Sequence, residues 1–260
     1  PAPGAGGQAG AALALQAPAG AGGLLALLRL RAEGRIGSAF VVDFDQHTGD
    51  GTQDVYWHDP DTLFISVHQD GRTLYPGSGF TDEQGGPNAI GRTVNIPLPP
   101  ETSDEGFLYV LEKVILPILN EFKPDLVINS AGQDNHYSDP ITNMNFTAQG
   151  YARLNQRLNP DICVLEGGYS IEGALPYTNL GIILAMAGMD YSHVKEPDYD
   201  QARFRQPEEM SRYIAGVCDK ALEVFANRGI YADGWFAGTV HKAPWETKPR
   251  AALADDTWEL

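Results

Sequence analysis

Four short runs of apolar, largely β-branched residues recur along the chain, at 38–43 (SAFVVD), 62–68 (TLFISVH), 125–131 (DLVINSA) and 161–166 (DICVLE). A strand with one wet face alternates polar and apolar residues, so runs this continuous call for strands covered on both faces. The segments between them carry helical spacing. In 106–122 the apolar positions are Phe107, Leu108, Val110, Leu111, Val114, Ile115, Ile118, Leu119 and Phe122, with Pro117 expected to kink the helix rather than end it. Segments 147–157, 171–189 and 207–227 continue the alternation. Strands separated by helices predict an α/β protein with a single parallel sheet flanked by helices. The chain shows no repeat of solenoid period and no GxxxxGK[ST] phosphate loop.

A length of 260 residues suits one large domain or two small ones, at roughly 150 residues per domain. Residues 1–37 read as a low-complexity lead, since 19 of the first 23 are Ala, Gly or Pro and show no hydrophobic period. Within that lead, 24–30 (LLALLRL) reads as a short helix running into the first strand. It falls far below the ~20 residues that would span a bilayer and lacks the basic leader of a signal peptide. The α/β domain is expected over 38–228, and 229–260, with Trp235, Trp245 and Trp258, forms a tail without a recognisable pattern. Because the chain starts at Pro1 rather than Met, it reads as a processed, trimmed or truncated product.

The 34 acidic and 18 basic residues leave a net charge of −16, which speaks against a nucleic-acid binder with its basic face. That acidity serves solubility first and is compatible with cationic ligands. Cys163 and Cys218 have no framework spacing, so both are expected reduced and buried in a cytoplasmic protein.

Polar residues gather where the apolar runs end, which in open α/β sheets is where ligands bind. The first run leads into Asp45-Gln46-His47-Thr48-Gly49-Asp50-Gly51, the third into Gly132-Gln133-Asp134-Asn135-His136, and the fourth into Gly167-Gly168-Tyr169. In extended backbone Asp43, Asp45 and His47 point to one side, with alternate residues roughly 6.6 Å apart, so a carboxylate and an imidazole can reach one cation. Catalytic zinc takes three protein ligands and keeps a position open, and Asp134 is the candidate third ligand. Read alone, Asp-x-Asp-x-His also fits a polar capping turn. A calcium loop is excluded, because its sixth and twelfth positions would be Thr48 and Asp54 instead of Gly and Glu.

Five ordered segments, VVDFDQHTGDGTQ, ISVHQDGRTLYPGSG, NIPLP, INSAGQDNHYSDP and LEGGYS, make the stretch from Ile36 to Met189 resemble the zinc-dependent histone deacetylase and acetylpolyamine amidohydrolase family. The resemblance implies the arginase/deacetylase fold. It also implies hydrolysis of the acetyl amide of acetyl-lysine or acetylated polyamines by water activated on one zinc ion. Asp45, His47 and Asp134 would be the zinc ligands, and Tyr169 the donor that stabilises the oxyanion. Asp43 and Ser66, with the backbone of Asp45, His47 and Val67, match the family's structural potassium site. Tyr75 matches an aromatic lining of the acyl-lysine tunnel, although it also reads as ordinary packing. Related arginases bind two manganese ions and carry an acid two residues beyond the histidine; Gly49 stands there, which favours one metal.

One departure bears on function. Family members carry adjacent histidines upstream of the first metal strand, serving as general base and electrostatic partner, with carboxylates matching Asp43 and Asp50 orienting them. The six histidines here, His47, His58, His68, His136, His193 and His241, include no adjacent pair, and residues 1–42 hold none. Thr48 also replaces a histidine common in relatives. General base catalysis contributes about 10²–10⁴-fold, so the alternative is a metal-binding pseudoenzyme or truncated fragment without turnover. Asp50 and His136 are expected to support the site from behind its ligands, His136 reading more naturally so than as a substitute base.

Overall fold

A computed structural model describes residues 21–196 and 204–226. Among these residues five parallel strands form one sheet: β1 Ala39–Asp43, β2 Thr62–Gln69, β3 Thr93–Leu98, β4 Leu126–Ser130 and β5 Ile162–Val164. Their order is β3-β2-β1-β4-β5. Strand β3 has no counterpart among the four apolar runs: Thr93, Asn95 and Pro97 interrupt it, and its burial comes from tertiary cover rather than from its own composition.

Seven α-helices among the described residues surround the sheet: α1 Ala21–Ala32, α2 Asp50–Tyr56, α3 Asp104–Val110, α4 Leu116–Phe122, α5 Ala148–Leu158, α6 Leu175–Met186 and α7 Glu208–Ala226. The single helix expected over 106–122 is α3 and α4 joined by a π-helical turn at Leu111–Ile115. Pro117 lacks an N–H and its ring crowds the carbonyl four residues back, and the wider turn absorbs both. The helix expected from residue 171 begins at Leu175, because Ser170 first closes a turn whose carbonyl accepts from Ala174 N and Leu175 N, each at 3.0 Å. Helix α5 is capped by Thr147, whose side chain accepts from Gly150 N.

Both sheet faces are covered, as the unbroken apolar runs require. On one face Phe40 and Val42 of β1 pack with Phe107, Leu111, Tyr151, Ile214 and Val217 from the helices. On the other, Ala39 and Val41 pack with Leu27 of α1, Tyr56 of α2, Phe64, Ile128 and Val164. The helix expected over 24–30 therefore forms and docks on the sheet. The Ala/Gly-rich residues 1–20 and the tail 229–260, with its tryptophans and His241, lie outside the described residues. No helix among the described residues is long and apolar enough to cross a membrane.

Leu27 is fully buried, whereas Leu25, which the helical repeat sets about 200° away around the axis, is 64% exposed. Leu27→Ala is expected to cost about 2–5 kcal/mol in chemical denaturation, and Leu25→Ala no more than about 0.5 kcal/mol.

Candidate metal centre

The strand order places the site. The chain leaves β1 towards β2 on one side, yet β4 lies on the other, so the connections diverge above the β1–β4 junction and open a crevice at the carboxyl ends of the strands. Asp43 ends β1 opposite Ser130 of β4 and Ser66 of β2. Past the strand ends the pairing continues: Phe44 N donates to Ser130 O at 2.9 Å, Ala131 N to Val164 O at 2.7 Å, and Gln133 N to Gly167 O at 2.7 Å.

These connections bring Asp45, His47 and Asp134 together, with one potential ligand atom from each lying within 4.8 Å of the others. His47 Nδ1 is 3.2 Å from Asp45 Oδ1 and 3.5 Å from Asp134 Oδ2. Asp45 is held by Gly167 N on Oδ2 at 2.8 Å and by His47 N on Oδ1 at 2.9 Å. Asp134 Oδ1 accepts from Gln46 N at 3.0 Å, while its Oδ2 is buried and accepts no hydrogen bond of good geometry. A Cβ on Gly167 would fall 2.3 Å from Asp134 Oδ2 and 2.5 Å from Asp45 Oδ2, so only glycine lets both carboxylates close on one point.

The electrostatics are those of crowded acids with too little positive charge. Burial, then the charge of Asp45, pushes the Asp134 carboxyl up to about 7. The Asp134 carboxylate, then that of Asp45, raises the His47 imidazole to about 10. Burial, followed by the Asp45 charge, lifts Asp43 well above the carboxylate range. A divalent cation would neutralise this crowd. One imidazole and two carboxylates, with an orphaned buried oxygen and a glycine-lined approach, fit zinc with an open coordination position.

A cavity of about 210 Å³ opens over Asp45 and His47, lined also by Asp43, Asp50, Glu166 and Tyr169, with Asp134 buried behind that lining. Tyr169 is half exposed at this cavity, and its backbone N donates to Asp139 Oδ2 at 2.7 Å. Burial, then the charges of Asp134 and Asp45, raises its phenol, so the hydroxyl keeps its proton at neutral pH.

The other residues singled out in the sequence fall at varying distances from this cavity. Asp43 and Ser66 face each other across β1 and β2, both buried, with Val67 next along β2. Asp50 starts α2 and accepts from Gly51 N. Tyr75 is 79% exposed in the turn after β2 and stands outside the cavity lining. His136 is buried and also outside that lining; both ring nitrogens are engaged, with Ser138 and with Glu196.

Three supporting residues, Asp139, His68 and Glu83, have roles that sequence spacing does not reveal. Asp139 holds the Tyr169 backbone from thirty residues away. His68 has Nε2 2.9 Å from Gly79 O, so Nε2 carries the proton, and Nδ1 accepts from Ser66 Oγ at 2.8 Å. It thereby ties the turn bearing Tyr75 to the strand bearing Ser66. Glu83 Oε1 holds the same turn by accepting from Gly79 N and Phe80 N.

A parallel α/β sheet carrying an Asp-His-Asp trio at its topological switch point, beside a tyrosine on a Gly-Gly loop, has the architecture of the arginase/deacetylase fold. The histone deacetylase domain profile matches residues 24–179, and the chain belongs to that family. It is 52% identical over 167 residues to the "Probable deacetylase" of Archaeoglobus fulgidus, covering 61% of this chain and 46% of the relative. It is 35% identical to the chloroplastic histone deacetylase 10 of Oryza sativa subsp. japonica, over 70% of this chain and 41% of that protein. Among solved structures, the HDA15 HD domain superposes with a TM-score of 0.67 at 28% identity, covering 81% of this chain and 57% of that one. The acetylpolyamine aminohydrolase of Burkholderia pseudomallei gives 0.59 at 32% identity, covering 64% and 48%. The chain thus spans less than half the length of the curated relatives named.

Two outcomes follow from this geometry. Burial pushes His68 down to about 4, so the folded state stays neutral while the unfolded chain protonates below about 6.5. Stability is full above that pH and falls by about 3 kcal/mol as pH drops towards 4, a slope that His68→Gln should flatten in denaturation series. Gly167→Ala is expected to weaken zinc binding by about 10–100-fold in chelator competition, through displacement of both carboxylates.

Proposed function

We propose that the chain is a metal-dependent deacetylase hydrolysing the acetyl amide of acetyl-lysine or acetylated polyamines, with one zinc held by Asp45, His47 and Asp134. The observation that carries this reading is the convergence of the three donor groups, with Asp134 Oδ2 buried and without a well-placed proton donor. A zinc ion held by Asp45, His47 and Asp134 would supply Lewis acidity and would lower the pKa of water to about 7. Tyr169, kept protonated, donates to the acetyl oxygen as negative charge builds on it, a contribution of about 10²–10³ in rate. Asp43, Asp50 and Glu166 make the cavity wall acidic, which favours a cationic polyamine or lysine-rich substrate.

Asp43, Ser66 and the backbone of Asp45, His47 and Val67 are assigned a potassium ion beside the zinc. Tyr75 is assigned to the approach to the cavity, supported by the contact its turn makes through Gly79: a Cβ there would lie 2.3 Å from Thr48 Oγ1. Two free cysteines support a reducing, cytoplasmic setting.

A second reading, metal binding without turnover, is favoured by one observation. His47 is the sole histidine among the residues lining the cavity, and it is already committed to the metal. No imidazole among that lining is left to accept the proton.

The test is turnover of an acetyl-lysine peptide and an acetylated polyamine by zinc-loaded protein. Tyr169→Phe is expected to lower kcat by about 10²–10³ with metal content unchanged. Undiminished turnover in that variant would sink the mechanism, and full zinc occupancy in Asp45→Ala would defeat the ligand assignment. Stoichiometric zinc with no turnover on either substrate would establish the second reading.

A further inference from the structure

Tyr169 has little to hold it in place by itself. Its side chain is half exposed, and the two residues before it are glycines, Gly168 sitting at φ 150° in a region other residues rarely enter. A donor on such a loop must be fixed from outside, because two glycines confer backbone freedom that a misplaced hydroxyl would express as lost rate. We propose that Glu196, His136 and Ser138 form a brace that fixes this loop, making them positioning residues for Tyr169.

The brace is a continuous chain of polar contacts. Glu196 accepts from Ala148 N, the first residue of α5, which anchors the carboxylate to a helix start. The same oxygen, Glu196 Oε1, lies 3.4 Å from His136 Nε2, with both side chains buried. Ser138 N donates to His136 Nδ1 at 3.2 Å, so Nδ1 is the acceptor and the imidazole proton sits on Nε2, facing the carboxylate. Ser138 Oγ is 3.0 Å from Nδ1 and 2.9 Å from Ser170 Oγ. Ser170 adjoins Tyr169, and its Oγ accepts from Ala174 N at 3.2 Å in the turn that enters α6.

Two features make the arrangement a brace rather than a scatter of contacts. The backbone of His136 is itself pinned by a β-bridge to Phe146, so the ring works from a fixed point. Asp139, on the same segment, accepts from Tyr169 N, so one rigid stretch grips the loop at consecutive residues, 169 and 170. Burial of His136 and Glu196 strengthens their own link by lowering the local dielectric, while the Ser138–Ser170 link to the loop is exposed. Glu196 lies beyond the 24–179 match and acts on the loop only through His136 and Ser138.

The catalytic consequence rests on the deacetylase reading, but the brace itself does not, and amide hydrogen exchange separates them. Measured on the full chain, Ser138→Ala is expected to speed exchange of the 167–174 amides by about tenfold. In zinc-loaded protein the same variant should lower kcat by about tenfold with KM and zinc content unchanged. Ser138→Thr keeps the hydroxyl and should restore both. Glu196→Ala should release the same loop amides and add nothing in the Ser138→Ala background, because the two act in series. Parent-like loop exchange in Ser138→Ala, or release by Glu196→Ala of α5 alone, would overturn the brace. A responsive loop in a chain with no turnover would uphold the brace and overturn the deacetylase reading instead.

Discussion

The parallel pairing of β1 with β4 is the constraint from which the rest of the site follows. Those strands are separated by two others in sequence, and their adjacency forces the chain to diverge on either side of one seam. Divergence leaves backbone at the carboxyl ends without further sheet to join, and that backbone turns instead to the side chains of Asp43, Asp45 and Asp134 for its hydrogen bonds. The carboxylates are thus oriented by the same N–H groups that the fold leaves over. Asp45 is gripped from the loop after β5 through Gly167, and Asp134 from the loop after β1 through Gln46, so each side of the seam positions the other's candidate ligand.

Such an arrangement is stable only if the charge it concentrates is answered. Asp45 and Asp134 flank the His47 imidazole, with Asp43 and Glu166 close by, and the raised Asp43, Asp134 and His47 show the field that results. A protein built solely for stability would place apolar residues at the buried positions 43 and 134, since buried charge is costly. The presence of these acids at the switch point, with glycine where any Cβ would part the carboxylates, fits the proposed cation site.

Support for the site comes from residues beyond the three candidate ligands. His68 and Glu83 secure the turn carrying Tyr75, while Asp139 and the Glu196–His136–Ser138 chain secure the loop carrying Tyr169. The loop carrying Tyr169 lines the cavity and the turn carrying Tyr75 lies outside that lining, and both are held from behind by polar side chains. The histidine pair expected of an active family member has no counterpart around this cavity among the described residues, so proton transfer is the part of the chemistry for which these residues make least provision.

Much of this architecture is legible in the amino-acid order. The apolar runs at 38–43, 62–68, 125–131 and 161–166 mark strands buried on both faces, and the polar residues after them mark the end of the sheet where chemistry sits. Strand β3 is hidden because Thr93, Asn95 and Pro97 break its apolar run, and the π-helical turn before Pro117 leaves no trace beyond the proline. Asp45 and His47 are readable as a pair because local spacing alone puts them on one side of extended backbone. Their meeting with Asp134 is a matter of long-range contact, since nothing local dictates that β4 should lie beside β1. The same holds for His136, which is legible as a neighbour of the site but whose role depends on a carboxylate sixty residues later. Periodicity and spacing belong to residues close together along the chain, so the strands, the helices and the Asp45–His47 pair are written there directly. The strand order, the closeness of the carboxylates and the braces behind the loops arise from packing between distant segments, and they come into being only when the chain has folded.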